Sequence, residues 1–257
     1  MSVRPVLIAA GRGSRLDPHT REVPKTLVPV LGRPMMEWIL EALRAAGFAK
    51  QDVVCICGYR HEVLRARYPE FTFVHNTQWE HNNVLLSLMH ARAHLSGGFV
   101  ASYADIVYRR DTITQLQTST ADCSIVCDTA WRERYQGRTH HPESDAEKVS
   151  VEGRQVRHLS RRIPPEDAQA EFIGVMQATA VGARALLEHY DRVQRQHQGK
   201  VWREGRSFER AYLLDLLQDA VEHGFEIDAT LMRGGYMEID TVQDLGLAER
   251  WWTELGE

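Results

Sequence analysis

The fold is decided by residues 4–16, which read Arg4-Pro5-Val6-Leu7-Ile8-Ala9-Ala10-Gly11-Arg12-Gly13-Ser14-Arg15-Leu16. The apolar run at the start predicts a buried strand, and the two glycines after it predict a loop. Closely spaced glycines let backbone N–H groups approach phosphate oxygens, and Arg12 and Arg15 can add charge-assisted hydrogen bonds. The stretch therefore predicts a phosphate-binding loop directly after the first strand.

Two familiar nucleotide motifs match this loop poorly. A dinucleotide-binding loop would have a third glycine where Leu16 stands, and its helix would begin at once, whereas the next helix signal is Pro34. A Walker A loop would end in Gly-Lys-Ser or Gly-Lys-Thr, which this loop lacks. For the stretch taken alone, a glycine-rich surface loop without a ligand stays an alternative.

Strand-like and helix-like segments alternate from the loop to residue 128. Strands are predicted at residues 4–10, 52–57, 71–75, 99–103 and 123–128, and helices at 34–47, 59–68, 82–95 and 111–117. This alternation indicates an α/β fold with a doubly wound, mostly parallel, Rossmann-like sheet. Ligands of such sheets bind beyond the carboxyl ends of the strands.

The pattern changes in the second half of the chain. A polar segment at 131–145 and a β-hairpin at 147–159, turning at Glu152-Gly153, predict an insertion over the sheet. A strand at 172–180 and helices at 183–196 and 208–223 follow, the last with Ser207 as its N-cap and Gly224 at its end. We expect one domain, 1–257, with a nucleotide-binding half at 1–128 and an acceptor-binding half at 129–257.

Composition excludes several classes of protein. The 257 residues are 43% hydrophobic, and 31 Lys and Arg against 35 Asp and Glu leave a formal net charge of −4. Such a chain has no global attraction for nucleic acid, and its apolar runs are shorter than the roughly 18 residues of a membrane span, so neither partner is expected. The four cysteines lie in strand-like runs, which predicts buried thiols and a cytoplasmic protein.

Two aspartates are candidates for a metal site. Asp105 follows the strand at 99–103, and Asp240 ends the segment Met237-Glu238-Ile239-Asp240. Strand-end carboxylates from distant parts of a chain can converge on one hard cation, and Mg²⁺ commonly takes one or two carboxylates together with phosphate oxygens. For Asp240 alone, an N-cap of the following helix is the alternative.

The loop continues into Val23-Pro24-Lys25-Thr26-Leu27-Val28-Pro29. An Ala-Ala-Gly-x-Gly-x-Arg-Leu loop followed by Pro-Lys resembles the signature of the nucleoside-triphosphate transferase superfamily. Within it, nearly the whole chain resembles the phosphocholine and aminoalkylphosphonate cytidylyltransferases. The resemblance implies that Lys25 neutralises charge around the α-phosphate and that Asp105 and Asp240 bind Mg²⁺. It assigns the triphosphate to the loop residues Ala10, Gly11, Gly13 and Arg15.

The segment at 76–83 and Ser87 resembles the base-binding segment of these enzymes. Side-chain amides such as those of Asn82 and Asn83 can present a donor and an acceptor to a pyrimidine edge. The alternative makes Asn82 only the cap of the following helix. The expected choice of CTP over UTP rests on the resemblance.

On the acceptor side, the segment from Trp131 to Val149 resembles enzymes with small acceptors rather than sugar-nucleotide enzymes. An anionic phosphate or phosphonate would be bound by Lys148 and by Arg161 or Arg162, although a surface position is the alternative for each cation. The aromatic residues Trp131, Tyr135, Phe172 and Trp202 could contact a quaternary ammonium, with core packing as the alternative. Glu171 lies in a segment similar to the family's Gly-Glu-Phe-Ile-Gly. His140 and His141 are expected in a solvated loop.

These observations predict an Mg²⁺-dependent cytidylyltransferase. It would transfer CMP from CTP to a small anionic acceptor of the phosphocholine, aminoalkylphosphonate or phosphonoformate type and release pyrophosphate. A sugar-1-phosphate nucleotidylyltransferase is the first alternative. A non-catalytic nucleotide sensor on the same fold is the second.

Overall fold

A nine-stranded sheet forms the centre of the molecule, in a computed structural model that describes residues 3–254. The ends of the predicted domain, 1–2 and 255–257, lie outside the described residues. The strands are β1 Arg4–Ala9, β2 Pro29–Val30, β3 Arg33–Pro34, β4 Val54–Cys57, β5 Thr72–His75, β6 Phe99–Tyr103, β7 Ile106–Tyr108, β8 Cys123–Asp128, β9 Lys148–Glu152, β10 Gln155–Leu159, β11 Ala170–Ala178, β12 Asp228–Met232 and β13 Tyr236–Glu238. The helices are α1 Met35–Ala45, α2 His61–Arg67, α3 Val84–His90, α4 Thr112–Leu116, α5 Trp131–Tyr135, α6 Ala180–His197, α7 Leu213–Glu222 and α8 Val242–Glu254.

The strand order of the large sheet is β5-β4-β1-β6-β11-β8-β12-β10-β9. β1 pairs in parallel with β4 and β6, and β8 pairs in parallel with β12, whereas β11 is antiparallel to both β6 and β8. Within the described residues, β10 and β11 run opposite to the other seven strands. The predicted α/β fold with a mostly parallel sheet is confirmed.

Burial on both faces explains why β1 is an unbroken apolar run. Val6 packs into the core beneath α3, α6 and α7, and Leu7 packs on the other face against α1. A strand covered on both sides needs apolar residues at every position, which is typical of parallel sheets. The four cysteines occupy similar covered positions and are free and buried, as predicted.

Two details of the second half differ from the sequence prediction. The hairpin of β9 and β10 does not lie over the sheet but extends it, because β10 pairs with β12 and β9 pairs with β11. The last predicted helix begins at Leu213 rather than Phe208. Its N-cap is Tyr212, whose N–H donates to the Asp215 carboxylate at 2.8 Å, so Ser207 is not the cap.

A third apolar cluster ties the end of the chain to its beginning. α8 contributes Leu247, Ala248 and Trp252, which pack with residues of β2 and β13, and the ring of Trp252 meets Trp38 of α1 edge-on at 6.0 Å. This packing holds the segment after β13, which carries Asp240, beside the loop after β1. None of the described helices is both long and apolar enough to cross a membrane.

Gly174 of β11 lies against the side chain of Tyr103 in the neighbouring strand β6. Its φ is +78°, and a Cβ atom there would lie 2.2 Å from the Tyr103 ring. We expect Gly174→Ala to lower the free energy of unfolding by about 2–4 kcal/mol, because an unfavourable φ adds to overpacking. Denaturant titration measures the change.

Gly246→Ala is the matched control, since Gly246 lies in α8 with open space where its Cβ would stand. It should be neutral or stabilising by up to about 1 kcal/mol. An equally small effect of Gly174→Ala would show that β11 and β6 do not need this close approach.

Candidate active site

A cavity of about 320 Å³ opens at the edge of the sheet where β1 and β6 end. This is the edge at which an α/β sheet is expected to bind its ligand. Predicted site residues from both halves of the chain line it: Ala10, Gly11, Arg15, Asn82, Asn83, Ser87, Asp105, Arg161, Glu171 and Asp240. The structure thus brings the loop, the two aspartates and parts of the base and acceptor segments to one place.

The loop after β1 is shaped by Gly13. Its φ is +67°, and a Cβ atom there would lie 2.7 Å from the aliphatic stem of Lys25. Gly13 therefore supports the loop by receiving Lys25 rather than by facing the cavity, while Gly11 lines the cavity wall with open space around its Cα. The predicted contact of these glycines with a triphosphate stays a prediction.

Lys25 links the two predicted metal ligands. Its Nζ donates to Asp105 Oδ2 at 2.8 Å and also to Asp240, which receives a further hydrogen bond from Arg15. Only 7% of Lys25 is exposed. Burial lowers the pKa of Lys25, but attraction to Asp105 and Asp240 more than offsets that effect and raises it overall. The ammonium therefore stays charged behind Asp105 and Asp240, which line the cavity.

The pKa values of two carboxyl groups in the same segment shift in opposite directions. Burial raises the pKa of Asp240, but the positive charges of Lys25 and Arg15 outweigh that effect. The net result is a pKa lowered to about 2. For Glu238, burial and the charges of Asp240 and Asp105 raise the pKa well above its ordinary value. The site therefore has more carboxyl groups than its nearby cations balance, a donor set of hard oxygen atoms that fits a divalent cation.

His141 also belongs to this cluster. It is 2% exposed, with its Nε2 3.4 Å from Glu238 and its Nδ1 3.4 Å from Asp244 of α8. Ligand atoms of His141, Glu238 and Asp240 lie within 4.8 Å of one another, so the three could hold a metal ion. The expectation of a solvated loop is wrong for His141, because Arg138, bound to Asp244 at 2.8 Å, draws it inward.

Neutral polar residues line the part of the cavity around Asn82, which we call its polar end. Asn82 and Ser87 both contact the buried Asn76, whose amide nitrogen donates to each at 2.9 Å. Asn83 is the N-cap of α3, since its Oδ1 accepts from the N–H of Val84 at 2.8 Å. The helix-cap alternative thus applies to Asn83 and not to Asn82.

Arg161 and several acidic residues line another part of the cavity, which we call its acidic end. The guanidinium of Arg161 donates to the backbone oxygen of Asp145 at 2.6 and 2.8 Å and to the Tyr212 hydroxyl at 2.9 Å. Arg162 instead is exposed and donates to the backbone oxygen of Glu204, so Arg161 is the arginine that faces the cavity. Burial raises the pKa of Glu147, which lines the same wall, to about 8.

Three predicted acceptor residues lie behind the wall and not on it. Trp131 and Tyr135 are buried and meet edge-on at 6.0 Å. The Tyr135 hydroxyl donates to Glu171 at 2.6 Å, and the Lys148 amine donates to the backbone oxygen of Arg161 at 2.6 Å. Their predicted contact with an acceptor stays a prediction, since none of the three lines the cavity, while Tyr135 and Lys148 each support a residue that does.

Sequence reasoning missed several wall residues. Glu238 had a signal, because it precedes Asp240 by two positions, the spacing that places strand residues on one side. Tyr103 and Tyr212 had none, since an aromatic residue at the end of a strand or before a helix is usually a packing residue. Asn76 belongs to the predicted base-binding segment but does not line the cavity, and only its contacts with Asn82 and Ser87 connect it to the wall.

A glycine loop after β1, paired buried carboxylates and a cavity between them define a nucleotide-binding transferase of the α/β class. The chain belongs to the family described as MobA-like NTP transferase domain, whose model matches residues 5–210.

Individual relatives share the same design. The chain is 25% identical over 250 residues, 93% of its length and 96% of the relative's, to CTP:phosphoglutamine cytidylyltransferase of Campylobacter jejuni. It is 36% identical over 119 residues, 44% of its length and 47% of the relative's, to 2-aminoethylphosphonate cytidylyltransferase of Lancefieldella rimae. The solved structure of CTP:phosphocholine cytidylyltransferase from Streptococcus pneumoniae has the same fold, with a TM-score of 0.70, 23% identity and coverage of 98% of this chain and 100% of that one.

The ion pairs of Lys25 generate a stability prediction. In metal-free buffer, Lys25→Met should lower the free energy of unfolding by about 2–4 kcal/mol, because it leaves Asp105 without its cation and Asp240 with Arg15 alone. Adding Asp240→Asn should recover part of that loss, with a coupling of about 1–3 kcal/mol in a double-mutant cycle.

The exposed pair Arg92 and Asp191, at 2.9 Å, provides the matched cycle. Its coupling should stay below about 1 kcal/mol. Strict additivity of the Lys25 and Asp240 changes would contradict the buried ion cluster.

Glu147 generates a pH prediction. A folded-state pKa of about 8 lies above the ordinary value for glutamate, so the unfolded chain ionises first. Relative to Glu147→Gln, the wild type should lose stability as pH rises from about 4.5 to 8, with no further change from this group above 8. Urea unfolding at pH 5, 7 and 9 tests this, with Glu166→Gln, an exposed position, as control. A pH-independent difference would mean that the Glu147 carboxyl is solvated.

Proposed function

We propose that the protein is a divalent-metal-dependent cytidylyltransferase. It transfers CMP from CTP to a small acceptor that carries a phosphate or phosphonate group, and it releases pyrophosphate. The observation that carries this proposal is the ion cluster of Lys25, Asp105 and Asp240, whose two carboxylates line the same cavity as Asn82 and Glu147.

In this reaction an acceptor oxygen forms a bond to the α-phosphorus of CTP, and the bond from that phosphorus to the bridging oxygen of the β-phosphate breaks. The acceptor oxygen is ionised near neutral pH, so the site needs alignment and charge neutralisation more than a general base. Arg15 lines the cavity and Lys25 lies directly behind Asp105 and Asp240, and we assign the phosphates to these two cations and to the backbone at Gly11.

The metal of this proposal is Mg²⁺, held by Asp105 and Asp240. Both carboxylates already converge on one positive charge, the Lys25 ammonium, which supports their ability to share a cation. The pKa of the neighbouring Glu238 is raised well above its ordinary value, which supports the binding of an additional positive charge beside these carboxyl groups. When bound, Mg²⁺ would neutralise phosphate oxygens during transfer.

The charge of the acidic end limits which class of acceptor the cavity can bind. Glu147, Glu171 and Asp145 line this end together with Arg161, whose guanidinium is already bound to Asp145 and Tyr212. Burial raises the pKa of both Glu147 and Glu171 although Arg161 and Arg134 lie near them, so these cations do not fully offset the cost of ionising the two carboxyl groups. We therefore infer an acceptor with a cationic amine at the end remote from its phosphonate or phosphate.

An acceptor panel tests the proposal. With CTP and Mg²⁺, pyrophosphate release should be at least tenfold faster in kcat/KM with 2-aminoethylphosphonate or phosphocholine than with phosphonoformate or glucose 1-phosphate. The reason is that an ammonium compensates Glu147 and Glu171, whereas an added anion or a neutral sugar does not. A preference for glucose 1-phosphate would instead indicate a sugar-nucleotide enzyme.

Asp105→Asn shows whether turnover arises at this site. We expect it to lower kcat by about a hundredfold or more, a loss of roughly 3 kcal/mol of transition-state stabilisation, in a protein that still folds. Asp167→Asn removes the same charge from an exposed loop and serves as control. Near-normal kcat in Asp105→Asn, or no release with any acceptor, would contradict the proposed function.

A further inference from the structure

Asn76 is a fully buried amide behind the polar end of the cavity. Its Nδ2 donates to Asn82 Oδ1 and to Ser87 Oγ, both at 2.9 Å, and its Oδ1 accepts from Asn82 Nδ2 at 3.1 Å. Asn82 and Ser87 line the cavity, but Asn76 does not. Asn76 therefore acts on a ligand only through its two neighbours.

One backbone group fixes the direction of this whole network. The N–H of Gln78 donates to Asn76 Oδ1 at 3.0 Å. A backbone N–H can only donate, so the oxygen of Asn76 must face Gln78 and its nitrogen must face Asn82 and Ser87. The amide of Asn82 then has to present its oxygen to that nitrogen. The orientation of Asn82 is thus set by chain geometry one layer behind the cavity.

The remaining hydrogen-bonding capacity of Asn82 follows by counting. Its Oδ1 accepts from Asn76 and lies 3.5 Å from the Ser87 hydroxyl, and one of its two N–H groups donates to Asn76. What Asn82 retains for a ligand is its second N–H. Ser87 accepts from Asn76 and donates its hydroxyl hydrogen to Asn82 Oδ1 at 3.5 Å, so the free donor is the second N–H of Asn82. This end of the cavity therefore offers a donor.

Cytosine and uracil differ in the group that would meet this donor. Cytosine has two adjacent acceptors, O2 and N3, whereas uracil carries a hydrogen on N3 between its two carbonyl oxygens. A fixed N–H facing N3 bonds to cytosine and opposes uracil, because two donors leave each other unpaired. We propose that Asn76 is a positioning residue that selects cytosine over uracil by holding the Asn82 amide with its N–H toward the base. This inference rests on the proposed function, since it takes the base to lie at the Asn82 end.

Nucleotide binding tests the inference without requiring turnover. Calorimetry with Mg²⁺ should show the wild type binding CTP at least tenfold more tightly than UTP. It should also bind 3-deaza-CTP, which lacks the N3 acceptor, at least tenfold more weakly than CTP. Equal affinity for CTP and 3-deaza-CTP would overturn the proposal.

Two variants release or remove the donor. Asn76→Asp replaces the nitrogen that donates to Asn82 with an oxygen, so the Asn82 oxygen meets an oxygen in either orientation and its amide is no longer held with the N–H toward the cavity. Asn82→Asp removes the donor directly. Each should lower the CTP-to-UTP affinity ratio at least tenfold. Thr77→Asp adds the same charge at an exposed neighbouring position and should keep the ratio.

The outcomes separate a positioning role from a structural one. Equal losses for CTP and UTP in Asn76→Asp would mean that Asn76 only supports the fold, and an unchanged ratio in Asn82→Asp would overturn the base contact. If Asn76→Asp does not fold, Asn82→Asp and 3-deaza-CTP decide. CTP-selective binding without pyrophosphate release from any acceptor would contradict the proposed function alone, whereas turnover with equal use of CTP and UTP would contradict only this inference.

Discussion

The buried ammonium of Lys25, bound between Asp105 and Asp240, is the interaction on which the site and much of its surroundings depend. The two carboxylates lie 80 and 215 positions after Lys25 in the chain. A charge that is 7% exposed is tolerated only when it is paired, so its burial requires the ends of β6 and β13 to meet the loop after β1. The apolar packing of α8 against β2 and β13 stabilises the same meeting point.

That cluster also explains the unusual electrostatics of the cavity. Lys25 and Arg15 hold Asp240 ionised, but Glu238, Glu147 and Glu171 lie where burial raises the pKa of each carboxyl. Carboxyl groups whose pKa is raised in the folded state destabilise the ligand-free fold when they ionise. A bound metal ion or ammonium group would remove that penalty, so the same arrangement that costs stability favours cationic ligands. Stability and binding oppose each other at this site.

The parts of the structure that could be predicted from the sequence are those in which neighbouring residues decide the local conformation. β1 is apolar because both its faces are covered, and the Gly11-Arg12-Gly13 loop follows it at once, so strand and loop were readable together. The inward position of His141 was not, because it depends on Arg138 and Asp244, more than 100 residues apart. Trp131 and Tyr135 looked like ligand contacts because nothing in a polar segment reveals that its aromatic residues pack on each other.

The polar end of the cavity binds through directional hydrogen bonds and the acidic end through electrostatic attraction. This difference determines how selective each end can be. At Asn82 the wall is neutral and its donor is fixed by Asn76, so a base with the wrong edge leaves a buried polar group unpaired, a large penalty. At Glu147 and Glu171 the wall is acidic, and its attraction to an ammonium depends only weakly on the shape of the group that carries the positive charge. Lys148 and Tyr135 support that wall from behind. Selection should therefore be sharp for the nucleobase and broad among small cationic acceptors, so that the acceptor can change through wall substitutions without disturbing the nucleotide end.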